Sequence, residues 1–143
     1  MNLIQYHSEV MYLPAHTQSN HEKSTFDFFT EPLKFKIHSH KVLNKDILSI
    51  LEKFSWWNKK FDRLSTGEKQ FLSFMRIIQL NPRVLLIDEG LTNLDQEKIT
   101  LVDQVLTSWK NTTQGSFILV DHHQDVAKQL RTKDVCFTDL ISR

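Results

Sequence analysis

The feature that most constrains the fold is a regular alternation of amphipathic and apolar segments after residue 62. Residues 84–87 and 117–120 are two uninterrupted apolar runs, and each lies between segments that have helical periodicity. Runs of this kind are typical of parallel strands covered on both faces, and the helices between them are the crossovers that parallel strands require. The pattern predicts an α/β core over residues 63–143.

Within this core the periodicity predicts helices over 68–80, 96–110 and 124–131 and strands over 83–88, 117–121 and 134–138. Residues 1–62 are different, because only residues 10–13, closed by Pro14, have the pattern of a strand. Two helical patterns follow at about 25–33 and 43–54. We expect a mainly helical unit there, joined to a mainly parallel sheet flanked by helices.

Composition narrows the class of protein. The 143 residues are 40% hydrophobic and 24% charged, which supports one globular domain with a buried core. The formal net charge is +1, so the chain does not have the excess of basic residues that is typical of nucleic-acid-binding domains. We therefore expect no nucleic-acid partner. No apolar run approaches the roughly 20 residues that span a bilayer, and the first ten residues lack the pattern of a secretory signal. The single Cys136 fits a reducing, cytoplasmic setting.

The stretch LSTGEKQ, which begins at Leu64, supports two interpretations. Ser65 and Glu68 have the spacing of a capping box at the start of an amphipathic helix. The apolar stripe of that helix is expected to face the core and consists of Phe71, Phe74, Met75 and Ile78. A helix amino end with a hydroxyl and the side-chain-free Gly67 is also suited to binding an anion. These residues alone are compatible with an ordinary capped helix or with a phosphate site.

Two adjacent carboxylates, Asp88 and Glu89, follow the first apolar strand. Open α/β sheets place their ligands at this end of the strands. In nucleotide hydrolases the first acid here holds Mg²⁺ and a neighbouring acid can position the attacking water, although a solvated turn is the alternative. Asp95 is a plausible N-cap of the next helix. His122 follows the second strand, where it either contacts a phosphate or belongs to a surface turn.

Four motifs in order resemble the ATP-binding cassette (ABC) ATPase family: L-S-T-G-E (64–68), R-V-L-L-I-D-E (83–89), L-T-N-L-D (91–95) and V-D-H (120–122). They are similar to its signature loop, Walker B strand, D-loop and switch histidine. The resemblance implies an ABC ATPase fold with a helical subdomain, and ATP and Mg²⁺ as cofactors. It also implies Mg²⁺ binding by Asp88, catalysis by Glu89 and His122, and nucleotide binding by Ser65, Thr66, Gly67, Glu68 and Asp95.

The sequence departs from the family pattern at several positions. Ala15 stands where the family has the glutamine of its Q-loop, and we transfer no role to the nearby Gln18. Thr66 replaces a glycine, Glu68 a glutamine, and Gly90 a proline. These last three substitutions are compatible with the resemblance.

No phosphate-binding loop of the form G-x-x-x-x-G-K-[ST] occurs in the 143 residues, because Gly67, Gly90 and Gly115 have the wrong spacing. The resemblance implies that this loop lies before residue 1, and that the signature loop contacts ATP held by another ABC ATPase subunit or by the missing amino-terminal segment. We therefore expect no ATP binding or hydrolysis by the chain alone, although the family is one of ATPases. Without the strands that would precede residue 1, we also expect the sheet to expose one edge and one face.

The resemblance further implies a transmembrane transporter subunit as partner and a place at the cytoplasmic face of the membrane. Trp56 and Trp57 would face that membrane partner or, alternatively, pack beside the signature loop. Two other functions remain open: a non-catalytic partner or relic that completes a nucleotide site in trans, and part of a soluble ABC-type ATPase acting on DNA or ribosomes.

Overall fold

The structure is a computed structural model that describes residues 9–16, 22–121 and 124–130. Its helices and strands are, in chain order, β1 (Val10–Leu13), α1 (Thr25–Thr30), α2 (Lys45–Leu51), α3 (Thr66–Ile78), β2 (Val84–Asp88), α4 (Gln96–Thr113), β3 (Ser116–Val120) and α5 (Gln124–Gln129). Short 3₁₀ turns occupy Glu31–Lys34, Lys36–His38 and Phe61–Arg63. The order agrees with the alternation predicted from the sequence, and the predicted strand over 134–138 lies outside the described residues.

The three described strands form one parallel sheet in the order β1-β2-β3. Val10 lies opposite Val84, and Val84 lies opposite Ser116. The predicted parallel arrangement is confirmed, and the α/β core receives its first strand from residues 1–62. The carboxyl ends of all three strands lie at one edge of the sheet. Asp88, the last residue of β2, and Glu89 lie at this edge and form the acid pair. The division of the chain at residue 62 stays a prediction.

The two faces of the sheet differ in exposure. Leu13, Leu85 and Ile87 on the inner face are at most 1% exposed, and they belong to the same core cluster as the apolar residues of α3 and α4. On the outer face Ile118 is 60% and Val120 51% exposed. Among the described residues, the expectation that β3 is covered on both faces is therefore wrong. The other expectation, that the sheet exposes one face, agrees with these residues.

Helix α3 begins at the predicted capping box. The Ser65 hydroxyl accepts from the Glu68 N–H at 3.2 Å, and the Ser65 N–H donates to the Glu68 carboxylate at 2.7 Å. The predicted apolar stripe is buried: Phe71, Phe74, Met75 and Ile78 are each at most 1% exposed. Asn81, at φ 48°, and Pro82 follow the helix. The predicted capped helix is therefore confirmed, and the phosphate site at its amino end stays a prediction.

The helical region packs against α3 through a cation and aromatic rings. The Arg76 guanidinium lies 4.1 Å from the centre of the Phe28 ring and donates to Glu31 at 2.9 Å. The pKa of Glu31 is lowered, first by its hydrogen bond from Lys23 and also by the charge of Arg76. These contacts fix α1 and the turn after it on the side of α3.

Trp56 and Trp57 are 3% and 7% exposed. The Trp56 ring meets the ring of Phe71, in α3, edge to face at 6.5 Å between centroids. Buried rings cannot face a second protein, so the prediction that these tryptophans contact a membrane partner is wrong, and packing beside the signature loop is the correct alternative. No helix in the described part of the chain is both long and apolar enough to cross a bilayer.

Candidate functional site

The amino end of α3 lies directly against the turn over residues 91–95. A Cβ atom added to Gly67 would lie 2.3 Å from the carbonyl oxygen of Asn93 and 4.0 Å from the Cα of Leu94. Only a residue without a side chain permits this approach of two backbones. The signature loop and the 91–95 turn thus form one continuous surface, with Ser65 and Thr66 exposed beside Gly67 and Glu68.

Gln70 joins this surface to the acid pair. Its side chain is almost buried, with the residue 5% exposed. The amide nitrogen donates to the carbonyl oxygens of Ala15 and Glu89, both at 3.3 Å, and the amide oxygen accepts from the Asn93 N–H at 2.9 Å. We did not single out Gln70 from the sequence. A polar residue four positions before Phe74, on the stripe that faces the core, is the signal that could have identified it.

Asp88, the last residue of β2, is half-buried on the outer face of the sheet. Tyr12 of β1 donates a hydrogen bond from its hydroxyl to the Asp88 carboxylate at 2.9 Å. That hydrogen bond, with the negative charge of Asp88, raises the pKa of Tyr12 above its usual value. Because Tyr12 lies opposite Leu86, it shares a face with Asp88, and the register of the strands brings the two together.

Glu89 has a left-handed backbone, with φ 52°. Its N–H donates to the carbonyl of Val120 at 2.8 Å. Its carbonyl oxygen accepts from the Gln70 amide and from the Thr92 hydroxyl. A residue with a side chain adopts this conformation at a cost of about 1–3 kcal/mol and only where its surroundings hold it. These hydrogen bonds hold the Glu89 backbone in one orientation.

Asp95 caps α4, as predicted, by accepting from the Lys98 N–H at 3.0 Å. The Lys98 ammonium also pairs with the Asp95 carboxylate. The pKa of Asp95 is lowered, first by the side-chain hydrogen bond from Lys98 and then by the Lys98 backbone N–H. The carboxylate is therefore bound by its own helix, and a role for Asp95 toward nucleotide stays a prediction.

The acid pair fits a magnesium ion that arrives with a nucleotide better than a resident metal. Among the described residues no group of three or more His, Cys, Asp or Glu side chains is placed to hold a metal ion. Mg²⁺ usually keeps several waters and takes one or two carboxylates together with substrate phosphates. Asp88, an oxygen donor at the strand end, suits that kind of binding. His122 lies outside the described residues, so its predicted place at this edge stays a prediction.

Comparison with known proteins agrees with the motifs. The ABC transporter family model matches residues 2–92, more than half of the chain. The methionine import ATP-binding protein MetN of Clostridioides difficile (strain 630) is 32% identical over 111 residues, which cover 76% of this chain and 35% of MetN. The tungstate uptake system ATP-binding protein TupC of Peptoclostridium acidaminophilum is 24% identical over 114 residues, which cover 76% of this chain and 52% of TupC.

The chain thus spans between about a third and a half of the length of these relatives. Among solved structures, an ABC transporter ATP-binding protein from Pyrococcus furiosus matches with a TM-score of 0.65 at 18% identity, covering 83% of this chain and 60% of that one. A likeness at this identity shows the fold, and it confirms the predicted α/β ABC ATPase architecture. On the family match and the shared fold, this chain belongs to the ABC transporter family and carries part of its ATPase domain.

Proposed function

We propose that the chain contributes the signature half of an ATP site in the ATP-binding subunit of an ABC-type transporter. The observation that supports this most is the contact of Gly67 with Asn93, because it makes the signature loop and the 91–95 turn one surface. The names of MetN and TupC, ATP-binding proteins of import or uptake systems, agree with such a role. Since the sequence contains no P-loop, the ATP is held by another ABC ATPase subunit or by a segment outside these 143 residues.

The amino end of α3 binds the terminal phosphate in this proposal. The first-turn amides of Thr66 and Gly67 and the Ser65 hydroxyl lie at the positive end of the helix dipole, where anions are favoured. The Glu68 carboxylate acts indirectly, because it accepts a hydrogen bond from the Ser65 N–H and so fixes the loop. Asp95 holds the start of α4 and with it the turn against which Gly67 packs.

By the family resemblance, the acid pair acts on a nucleotide held by the P-loop of its own subunit, which these 143 residues do not include. When bound, Mg²⁺ neutralises charge on the phosphate oxygens. Asp88 would hold that ion, and the hydrogen bond from Tyr12 fixes the direction of the Asp88 carboxylate. Glu89 would orient the attacking water, since its backbone is held in place. His122 would contact the phosphate, as the family resemblance implies.

The whole subunit works with a transmembrane transporter subunit at the cytoplasmic face of the membrane. This part of the proposal is supported by family membership and by the import and uptake systems that the relatives' names describe. The described residues contribute no tryptophan to a surface for that partner, because all three tryptophans are buried. A transmembrane partner would therefore be recognised through other residues.

The test measures ATP hydrolysis by P-loop-bearing ABC ATPase subunits with and without this chain. We expect no binding of a fluorescent ATP analogue by the chain alone, and a higher hydrolysis rate when the correct subunit is mixed with it. Ser65→Arg should abolish the stimulation by blocking the helix amino end. Ser49→Arg is the matched control, because Ser49 is an exposed residue of helix α2, and it should stimulate as the wild type does. Equal stimulation by the Ser65→Arg variant would contradict the proposal.

A further inference from the structure

Gln70 is a polar side chain on an otherwise apolar helix face. It is 5% exposed, and its neighbours Phe71 and Phe74 are fully buried. Burying a carboxamide is unfavourable unless its donors and its acceptor find partners. Here both N–H groups and the oxygen are used, and all three partners belong to the backbone. The side chain is therefore placed to connect chain segments.

The three segments are distant in sequence and each borders the candidate site. Ala15 follows β1 and is 55 residues from Gln70, Glu89 follows β2 at 19 residues, and Asn93 lies in the 91–95 turn at 23 residues. Asn93 contacts α3 at two of its backbone groups. Its N–H is bound by Gln70, and its carbonyl oxygen faces Gly67. A movement of the amino end of α3 must move this residue as well.

The same carboxamide supports the unusual backbone of Glu89. The Glu89 carbonyl accepts from the Gln70 amide at 3.3 Å, in a residue whose φ is 52°. One side chain thus contacts both the turn that the signature loop packs on and the residue that carries the second acid. If either contact is lost, the two parts of the surface are joined only by the short chain between Glu89 and Asn93 and by the hydrogen bonds of Thr92 to the Glu89 carbonyl.

We propose that Gln70 is a positioning residue that couples the amino end of α3, through Asn93, to the backbone of Glu89. Closure of the signature loop on a phosphate then sets the direction of the Glu89 carboxylate. This last step rests on the proposed function, whereas the coupling itself is a property of the chain alone. Gln70 acts through Asn93 and Glu89 and need not touch nucleotide.

Gln79, the residue that caps the carboxyl end of the same helix, provides a matched control. It is 1% exposed, and its amide nitrogen donates to the Phe29 carbonyl at 2.6 Å in the helical region. Gln70→Met and Gln79→Met each remove a buried carboxamide and keep the length of the side chain. Both variants lose buried hydrogen bonds, so both should lower the melting temperature. Only the first variant removes contacts to the candidate site.

The first measurement uses the full chain alone and follows amide signals by NMR. In Gln70→Met we expect the Asn93 amide to exchange with solvent at least about ten-fold faster, and the Glu89 amide resonance to shift. In Gln79→Met neither should change. Gln70→Glu retains an acceptor for Asn93 but loses the donors, so it should restore protection at Asn93 while Glu89 stays shifted. Unchanged signals in Gln70→Met, or equal changes in Gln79→Met, would overturn the coupling.

The second measurement uses the stimulated ATPase assay. Gln70→Met should lower kcat by at least about ten-fold with KM nearly unchanged, because ATP binding by the partner's P-loop remains while the turn on which the signature loop packs is no longer held by Gln70. Gln79→Met should keep the wild-type kcat. If the wild-type chain stimulates no P-loop-bearing subunit, the proposed function fails and the NMR result still decides the coupling. A wild-type kcat in Gln70→Met would overturn the positioning role.

Discussion

Replacing Gly67 with alanine tests how closely α3 approaches the 91–95 turn. The new Cβ would lie 2.3 Å from the Asn93 carbonyl oxygen and 3.3 Å from the carbonyl carbon, whereas ordinary contacts are 3.4–4 Å. Backbone atoms must therefore move by about 1 Å, and overpacking of this kind costs about 1–3 kcal/mol. The better helix propensity of alanine offsets at most about 1 kcal/mol. We expect a net loss of about 1–2 kcal/mol in the free energy of unfolding.

Urea denaturation followed by tryptophan fluorescence measures this loss, because the three tryptophans are all buried. For a slope of about 2 kcal/mol per molar urea, the middle of the usual range, the midpoint should fall by about 0.5–1 M. Thr66→Ala is the control, since Thr66 is exposed and adjacent, and its midpoint should change little. A Gly67→Ala variant as stable as the wild type would refute the close contact, and with it the argument that the two loops form one surface.

Three further outcomes are expected. Asp88→Ala should lower the pKa of Tyr12 toward its ordinary value, as measured by ultraviolet absorbance titration in a Tyr6→Phe background, and an unchanged pKa would contradict the hydrogen bond. Glu31 has a lowered folded-state pKa, so its stabilisation is present above the ordinary glutamate value of about 4.3 and is lost as the pH falls through the folded value. Glu31→Gln should therefore lose less stability than the wild type on acidification, and parallel pH curves in urea denaturation would refute this. Replacing Ile118 and Val120 together with threonine should reduce self-association measured by light scattering, because both side chains are exposed, and an unchanged molecular mass in an associating wild type would refute the role of this face.

The parts of the fold that depend on local patterns could be predicted from the sequence. The start of α3 is fixed by Ser65 and Glu68, three residues apart, and its buried face by an apolar repeat. The strands β2 and β3 follow from short runs of consecutive apolar residues, and their parallel pairing from the helix between them. Each of these signals lies within one element or in neighbouring elements of the chain, so no knowledge of the tertiary structure was needed.

The parts that depend on distant residues could not be predicted. The hydrogen bond between Tyr12 and Asp88 joins residues 76 positions apart and requires the register of β1 against β2. The contacts of Gln70 require the ends of two strands and a turn to meet at one point. The left-handed backbone of Glu89 could not be predicted either, because glycine adopts this conformation more readily than glutamate and the glycine of this turn is the next residue, Gly90.

Because the backbone of Glu89 is left-handed, stability and activity favour different residues at this position. Glycine tolerates this conformation, whereas a residue with a Cβ adopts it at a cost of about 1–3 kcal/mol. Selection for thermostability alone would thus replace Glu89 with glycine and remove the carboxylate. A library of variants sorted only for resistance to heat should drift toward glycine there, while one sorted for ATP turnover by the assembled site should keep the acid. The residue retained under each selection would show which of the two properties has shaped this turn.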